Sequence, residues 1–149
     1  MTDYSIVDVL AHRPPMVLLD SLVEFDRQSA ICEVTIQTSS PFYQDVIKGV
    51  PAYIGIEYMA QTIAAYAGAN ALNDGEQVKP GFLLGSRKYK IFESNFNVQT
   101  RYEIKVEEVY KEDSGLSVFD CAIYEGNNLV VVAKLNVFQP DDPLSFIKD

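Results

Sequence analysis

The sequence is short of the residues that dedicated metal and disulfide chemistry draws on. One histidine, His12, and two cysteines, Cys32 and Cys121, are spread through 149 residues. Without clustered Cys/His spacing there is no ligand set for a zinc site, so no metal is expected. Both cysteines fall within alternating, strand-like segments, where an unpaired thiol behaves as a small buried hydrophobe, and neither a disulfide nor a nucleophile is expected of them. Cations are scarce as well: 12 Lys and Arg face 21 Asp and Glu, for a formal charge of -9. That balance opposes nucleic acid and anionic membranes, both of which reward basic patches. No apolar run reaches the roughly 20 residues of a membrane span, and the stretch from Pro51 to Leu72 is broken by Glu57, Gln61, Thr62 and Asn70. Met1-Thr2-Asp3-Tyr4 has neither the basic region nor the apolar core of a secretory signal, so a cytoplasmic protein is expected. No linker divides the chain. The expectation is a single domain over 1–149, with residues from about 139 onward a loose polar tail.

What is present is an ordinary globular balance, 48% apolar and 22% charged. Ser5 to Ala11 reads as a short helix stopped by Pro14-Pro15, and Met16 to Phe25 with Ala30 to Gln37 as a hairpin turning at Asp26-Arg27-Gln28-Ser29. Pro51 suits the first position of a long helix running to about Leu72. At about 100° per residue, Ile56, Met59, Ala60, Ile63 and Ala67 share one face of that helix. Four strands follow, Gly81 to Phe92, Thr100 to Tyr110, Gly115 to Tyr124 and Leu129 to Phe138, with turn signals at Glu112-Asp113-Ser114-Gly115 and Glu125-Gly126-Asn127-Asn128. Without a βαβ alternation the class is α+β, an antiparallel sheet wrapped around one long helix.

Three features could carry chemistry. Glu57 sits near the start of the apolar helix, with Gln61, Ala64 and Gly68 following along its stripe. A carboxylate there either faces water and favours the positive end of the helix dipole, or is partly buried and works as a general acid or base with Gln61 orienting it. His12, in His12-Arg13-Pro14-Pro15, is either a helix C-terminal residue bonding nearby carbonyls or a proton-transfer group. Arg87, Lys88 and Lys90 form a basic cluster in Ser86-Arg87-Lys88-Tyr89-Lys90, either a solvated strand surface or a local docking site on an acidic protein.

Specific motifs narrow these alternatives. Leu10-Ala11-His12-Arg13-Pro14-Pro15-Met16-Val17-Leu18-Leu19-Asp20 resembles the opening of the 3-hydroxyacyl-(acyl carrier protein) dehydratases. Pro41-Phe42-Tyr43-Gln44 resembles the approach to their active-site loop, Ile56-Glu57-Tyr58-Met59-Ala60-Gln61 their Glu-x-Met-Ala-Gln helix signature, and Gly85 to Phe92 their next strand. The match runs in order from Ser5 to Phe138, and the helix start Pro51-Ala52-Tyr53-Ile54-Gly55-Ile56-Glu57 is similar to a divergent branch found in bacterial aryl-polyene pigment clusters.

The resemblance implies a hot-dog fold, a homodimer with its acyl tunnel along the dimer interface, and dehydration of a 3-hydroxyacyl thioester to a 2-enoyl thioester in fatty acid or polyene synthesis. No cofactor is implied beyond the phosphopantetheine of an acyl carrier protein, the expected partner. Glu57 takes the position of the family's helix carboxylate. The family's base, a loop histidine after the segment matched by Pro41 to Gln44, has no counterpart here, since Asp45-Val46-Ile47-Lys48-Gly49-Val50 replaces it. His12 is then the candidate base, with Gln61, Tyr43, Asp45, Pro51 and Gly55 as candidates to bind or orient substrate, and Arg87, Lys88 and Lys90 to dock the carrier. A thioesterase on the same scaffold, or a non-catalytic acyl-binding subunit, are the alternatives.

Overall fold

The computed structural model describes residues 2–13 and 15–140. Pro14 and all but the first two residues of the expected tail lie outside them. A short helix α1 (Ile6–Val9) precedes strands β1 (Ser21–Phe25), β2 (Ser29–Thr35) and β3 (Gly49–Pro51). A 3-10 turn (Ala52–Ile54) leads into α2 (Gly55–Asn73), and β4 (Phe82–Ile91), β5 (Asn95–Asn97), β6 (Arg101–Lys111), β7 (Leu116–Glu125) and β8 (Asn128–Phe138) follow. Six strands form one antiparallel sheet in the order β1-β2-β6-β7-β8-β4, packed against α2 as the expected hot-dog requires.

Alternation explains the sheet's two faces. On β6, Tyr102, Ile104 and Val106 are buried, while Arg101, Lys105 and Glu107 are exposed. Phe119, Cys121 and Ile123 of β7 and Val131, Ala133 and Leu135 of β8 continue the inner face beneath the helix. Edge-on ring pairs lock one end of the core, Tyr58 to Phe96 with centroids 5.3 Å apart and Phe96 to Tyr102 at 5.0 Å. The tight β7–β8 turn places Gly126 at φ +58, a conformation glycine adopts without strain. No helix among the described residues is long and apolar enough to cross a membrane.

Several boundaries differ from the sequence reading. Pro51 is not the first helical residue: it ends β3, with φ -60 and ψ 144, and α2 starts four residues later at Gly55. Proline's fixed φ suits an extended segment as well as a helix start, and the partner of β3, the ribbon strand β5, lies more than forty residues downstream. The short helix ends at Val9 rather than Ala11, and the first strand begins at Ser21 rather than Met16.

The helix also presents a different face to the sheet. Tyr58, Met59, Thr62, Ile63, Ala65, Tyr66 and Ala69 are buried, whereas Ile56, Ala60 and Ala67 are only half-buried. Two of the five expected residues, Met59 and Ile63, therefore face the core. The α2 sequence is apolar nearly all round, and its sheet-facing arc includes two tyrosines and a threonine that satisfies its hydroxyl locally. The Thr62 hydroxyl donates to the Tyr58 carbonyl at 2.8 Å.

Candidate active site

The half-buried alanines of α2 are the floor of an open groove of about 870 Å³, whose lining runs from Ala11, His12 and Glu57 past Ala60, Ala64 and Ala67 to Asn70 and Asp74. Small side chains at one-turn spacing keep this strip of helix surface open. From Glu57 to Asp74 the helix rises about 25 Å, so the groove follows most of its length. It gathers three of the residues singled out in the sequence: His12, Glu57 and Gln61.

Glu57 lies in the first turn of α2 with an exposed side chain, making no hydrogen bond or ion pair among the described residues. The partial burial expected for an acid–base carboxylate is therefore absent in the single chain. His12 is half-buried, and its Nδ1 is buried without a hydrogen-bond partner among the described residues. It does not cap α1. That task falls to Arg13, whose Nη1 donates to the carbonyls of Leu10 at 3.0 Å and His12 at 2.8 Å.

Gln61 does not orient the Glu57 carboxylate. It is 4% exposed, its Oε1 accepts the Leu18 N–H at 2.9 Å, and its Nε2 donates to the Met16 carbonyl at 2.7 Å.

The other candidates stand elsewhere. Tyr43 is half-buried against the core and Asp45 is exposed, in a loop that carries Phe42 at φ 69 and Lys48 at φ 50. Pro51 is buried in the β3–β5 ribbon. Gly55 is a packing glycine: a Cβ there would lie 2.6 Å from the Tyr89 hydroxyl oxygen and 3.1 Å from the Phe96 ring. Arg87, Lys88 and Lys90 are exposed, and none lines the groove. Lys88 and Lys90 instead border a depression on the sheet's outer face with Lys105 and Lys134, the last bound to Asp120 at 2.7 Å. A bulge between Arg87 and Lys90, with Lys88 at φ 54, interrupts the simple alternation of β4.

Two groove residues, Glu108 and Tyr66, were missed, as was Tyr89 outside the groove. Glu108 is the next inward position of β6 after Tyr102, Ile104 and Val106, and it lies 3.5 Å from the Tyr66 hydroxyl, which donates to the Arg27 carbonyl at 2.7 Å. Strand alternation was the available signal. Burial pushes the Tyr66 phenol up, with the nearby Glu108 charge adding to the shift. Tyr89, inward on β4, donates its hydroxyl to the Ala52 carbonyl at 2.7 Å and so ties the edge strand to the turn that starts α2.

Comparison with known proteins adds to this geometry. The family model ApeP-like, for ApeP dehydratase, matches residues 4–148. No curated protein sequence matches the chain. Among solved structures, the ApeI:P dehydratase heterocomplex from Xenorhabdus doucetiae is similar with a TM-score of 0.91 at 24% identity, over 99% of this chain and 97% of that one. A hypothetical thioesterase with coenzyme A from Streptococcus pneumoniae gives 0.63 at 12% identity, over 80% and 84%. The smu.793 protein from Streptococcus mutans, bound to acetyl CoA, gives 0.66 at 12%, over 87% and 94%. These likenesses show a shared hot-dog fold.

Proposed function

Because the chain belongs to the ApeP-like dehydratase family, we propose that it eliminates water from a 3-hydroxyacyl thioester, carried on the phosphopantetheine of an acyl carrier protein, to leave a 2-enoyl thioester. The observation that supports this most is the groove that both Glu57 and His12 line and that continues along the alanine floor of α2. An extended acyl chain fits such a strip, with its thioester end beside the two titratable groups.

The elimination breaks one C–H and one C–O bond and forms a C=C bond. His12 in its neutral form takes the proton from the carbon next to the thioester carbonyl. Glu57 in its acid form protonates the 3-hydroxyl, which departs as water. The imidazolium then returns its proton to the Glu57 carboxylate, and both groups regain their starting forms. Of the two His12 ring nitrogens Nδ1 is buried, so Nε2 is the one assigned to take that proton.

A second reading has its own support. Among the described residues the edge strand β4 pairs only with β8, and Leu83, Leu84, Ile91 and Phe92 are exposed on or beside it. Such an edge invites a second hot-dog chain, either another copy or a homologue. The solved ApeI:P assembly is a heterocomplex, and this chain lacks the loop histidine of the dehydratases it resembles. On this reading a partner supplies the base and the chain contributes Glu57 and one wall of the groove. Product analysis with a carrier-bound 3-hydroxyacyl substrate, on the chain alone and mixed with a related hot-dog chain, tests both. Enoyl product from the chain alone supports the His12 base, and enoyl product only from the mixture supports the shared site. Free acid makes the protein a thioesterase, and no turnover in either case removes the catalytic reading.

A further inference from the structure

We infer that Gln61 is a positioning residue that holds the His12-bearing segment against the helix that carries Glu57, by standing in for a missing strand partner. The described residues between α1 and β1 belong to no strand, and Asp20 meets the sheet ladder just before β1, its N–H donating to the Glu33 carbonyl at 2.9 Å. Before that point the Gln61 amide acts as the partner: it takes the Leu18 N–H at 2.9 Å and the Met16 carbonyl at 2.7 Å, the two groups that flank Val17, much as a neighbouring peptide would. Val17 itself packs against the core. Closer to His12, the Met16 N–H donates to the Arg13 carbonyl at 2.8 Å, and the Arg13 guanidinium binds the carbonyls of Leu10 and His12.

The His12 backbone is thus tethered on the α1 side by Arg13 and on the β1 side through Met16 to Gln61. Gln61 lies one helical turn after Glu57, on the same surface of α2. The acid and the clamp for the base-bearing segment therefore share one rigid helix. Gln61 is 4% exposed, and a buried side-chain amide that loses its partners is costly, which makes the clamp hard to open thermally. The inference rests on the proposed roles of Glu57 and His12 only in naming what is positioned.

His12 is the only histidine in the chain, so its ring resonances report on it alone. In the full chain, Gln61→Leu removes both bonds at similar volume. Gln61→Glu is nearly isosteric, keeps an acceptor for Leu18, loses the donor to Met16, and retains the fold if the leucine variant does not. Both variants should show changed and broadened His12 ring signals, and Gln61→Leu, which removes the Leu18 acceptor, should also show about tenfold or faster hydrogen exchange at the Leu18 amide. Where turnover is measurable, kcat should fall about 10- to 100-fold with little change in KM, as expected of misplacement rather than lost binding. Wild-type His12 signals in either variant, once folded, would overturn the inference. Altered His12 signals in a protein whose wild type forms no enoyl product would sustain the positioning role and remove the dehydratase reading instead.

Discussion

At the scale of single residues, Glu57 is tested most directly by removing its proton and keeping its shape. Glu57→Gln should abolish thioester chemistry in a folded protein, a loss of about 10²–10⁴ in rate, measured by enoyl product formation. Unchanged turnover would leave Glu57 as a solvent-facing carboxylate at a helix start, which its exposure alone also permits. His12→Ala should cost a comparable factor if His12 is the base, and little if a partner chain supplies it. Gly68 matters for packing instead. A Cβ at that position would overlap the Val9 carbonyl oxygen, because α1 crosses α2 directly over it. Gly68→Ala should destabilise the protein by about 1–3 kcal/mol, read as a lower midpoint in denaturant, with the effect centred on α1.

At the scale of elements, α2 divides its surface between two tasks. Tyr58, Met59, Thr62 and Tyr66 face the sheet, while Glu57, Ala60, Ala64 and Ala67 face the groove, and Arg27 bonded to Asp74 clamps the helix end to the β1–β2 turn. Strand β4 is the exposed edge. Leu84 is 55% exposed and Phe92 57%, values that suit a surface covered on assembly. Replacing both by lysine should halve the particle mass in light scattering while leaving far-UV circular dichroism unchanged, since neither side chain supports the chain's own core. A double variant with wild-type mass would move the interface elsewhere.

At the scale of the whole molecule, a net charge of -9 repels an acidic carrier, so the proposed docking of such a carrier would need a local cluster of cations. Lys88, Lys90, Lys105 and Lys134 share the sheet's outer face, with Arg87 nearby on β4. Reversing the charge at Arg87 and Lys88 should lower activity on carrier-bound substrate more than on a pantetheine-linked mimic, and the difference should shrink as salt rises. Equal losses on both substrates would make the cluster a solvated surface. The buried thiols and phenols make a separate forecast. Burial pushes the Cys32 thiol up to about 12 from 9.0, and the Tyr89 phenol to about 12 from 10.0. The folded chain thus keeps protons that the unfolded chain releases, so stability is fully present below pH about 9 and is lost as pH rises toward about 12. Denaturant midpoints that stay constant from pH 8 to pH 11 would contradict this, as would rapid alkylation of Cys32 in the folded protein.

Much of this was legible in local pattern. The alternation of Tyr102, Ile104 and Val106 implied a two-faced strand, the turn residues placed the hairpins, and the long apolar segment implied α2, because these signals arise from neighbours within a few residues. The motif around Glu57 carried the family. What local pattern could not decide involves partners far apart in the chain. Pro51 reads as a helix start until Asn95 pairs with it, and Met16 reads as the start of a strand until Gln61 occupies the place a strand partner would take. The groove face of α2 looked like its core face, because hydrophobic periodicity measures how apolar an arc is and not what stands opposite it. Only packing the helix on the sheet decides that, and with it which side of α2 is left open beside Glu57.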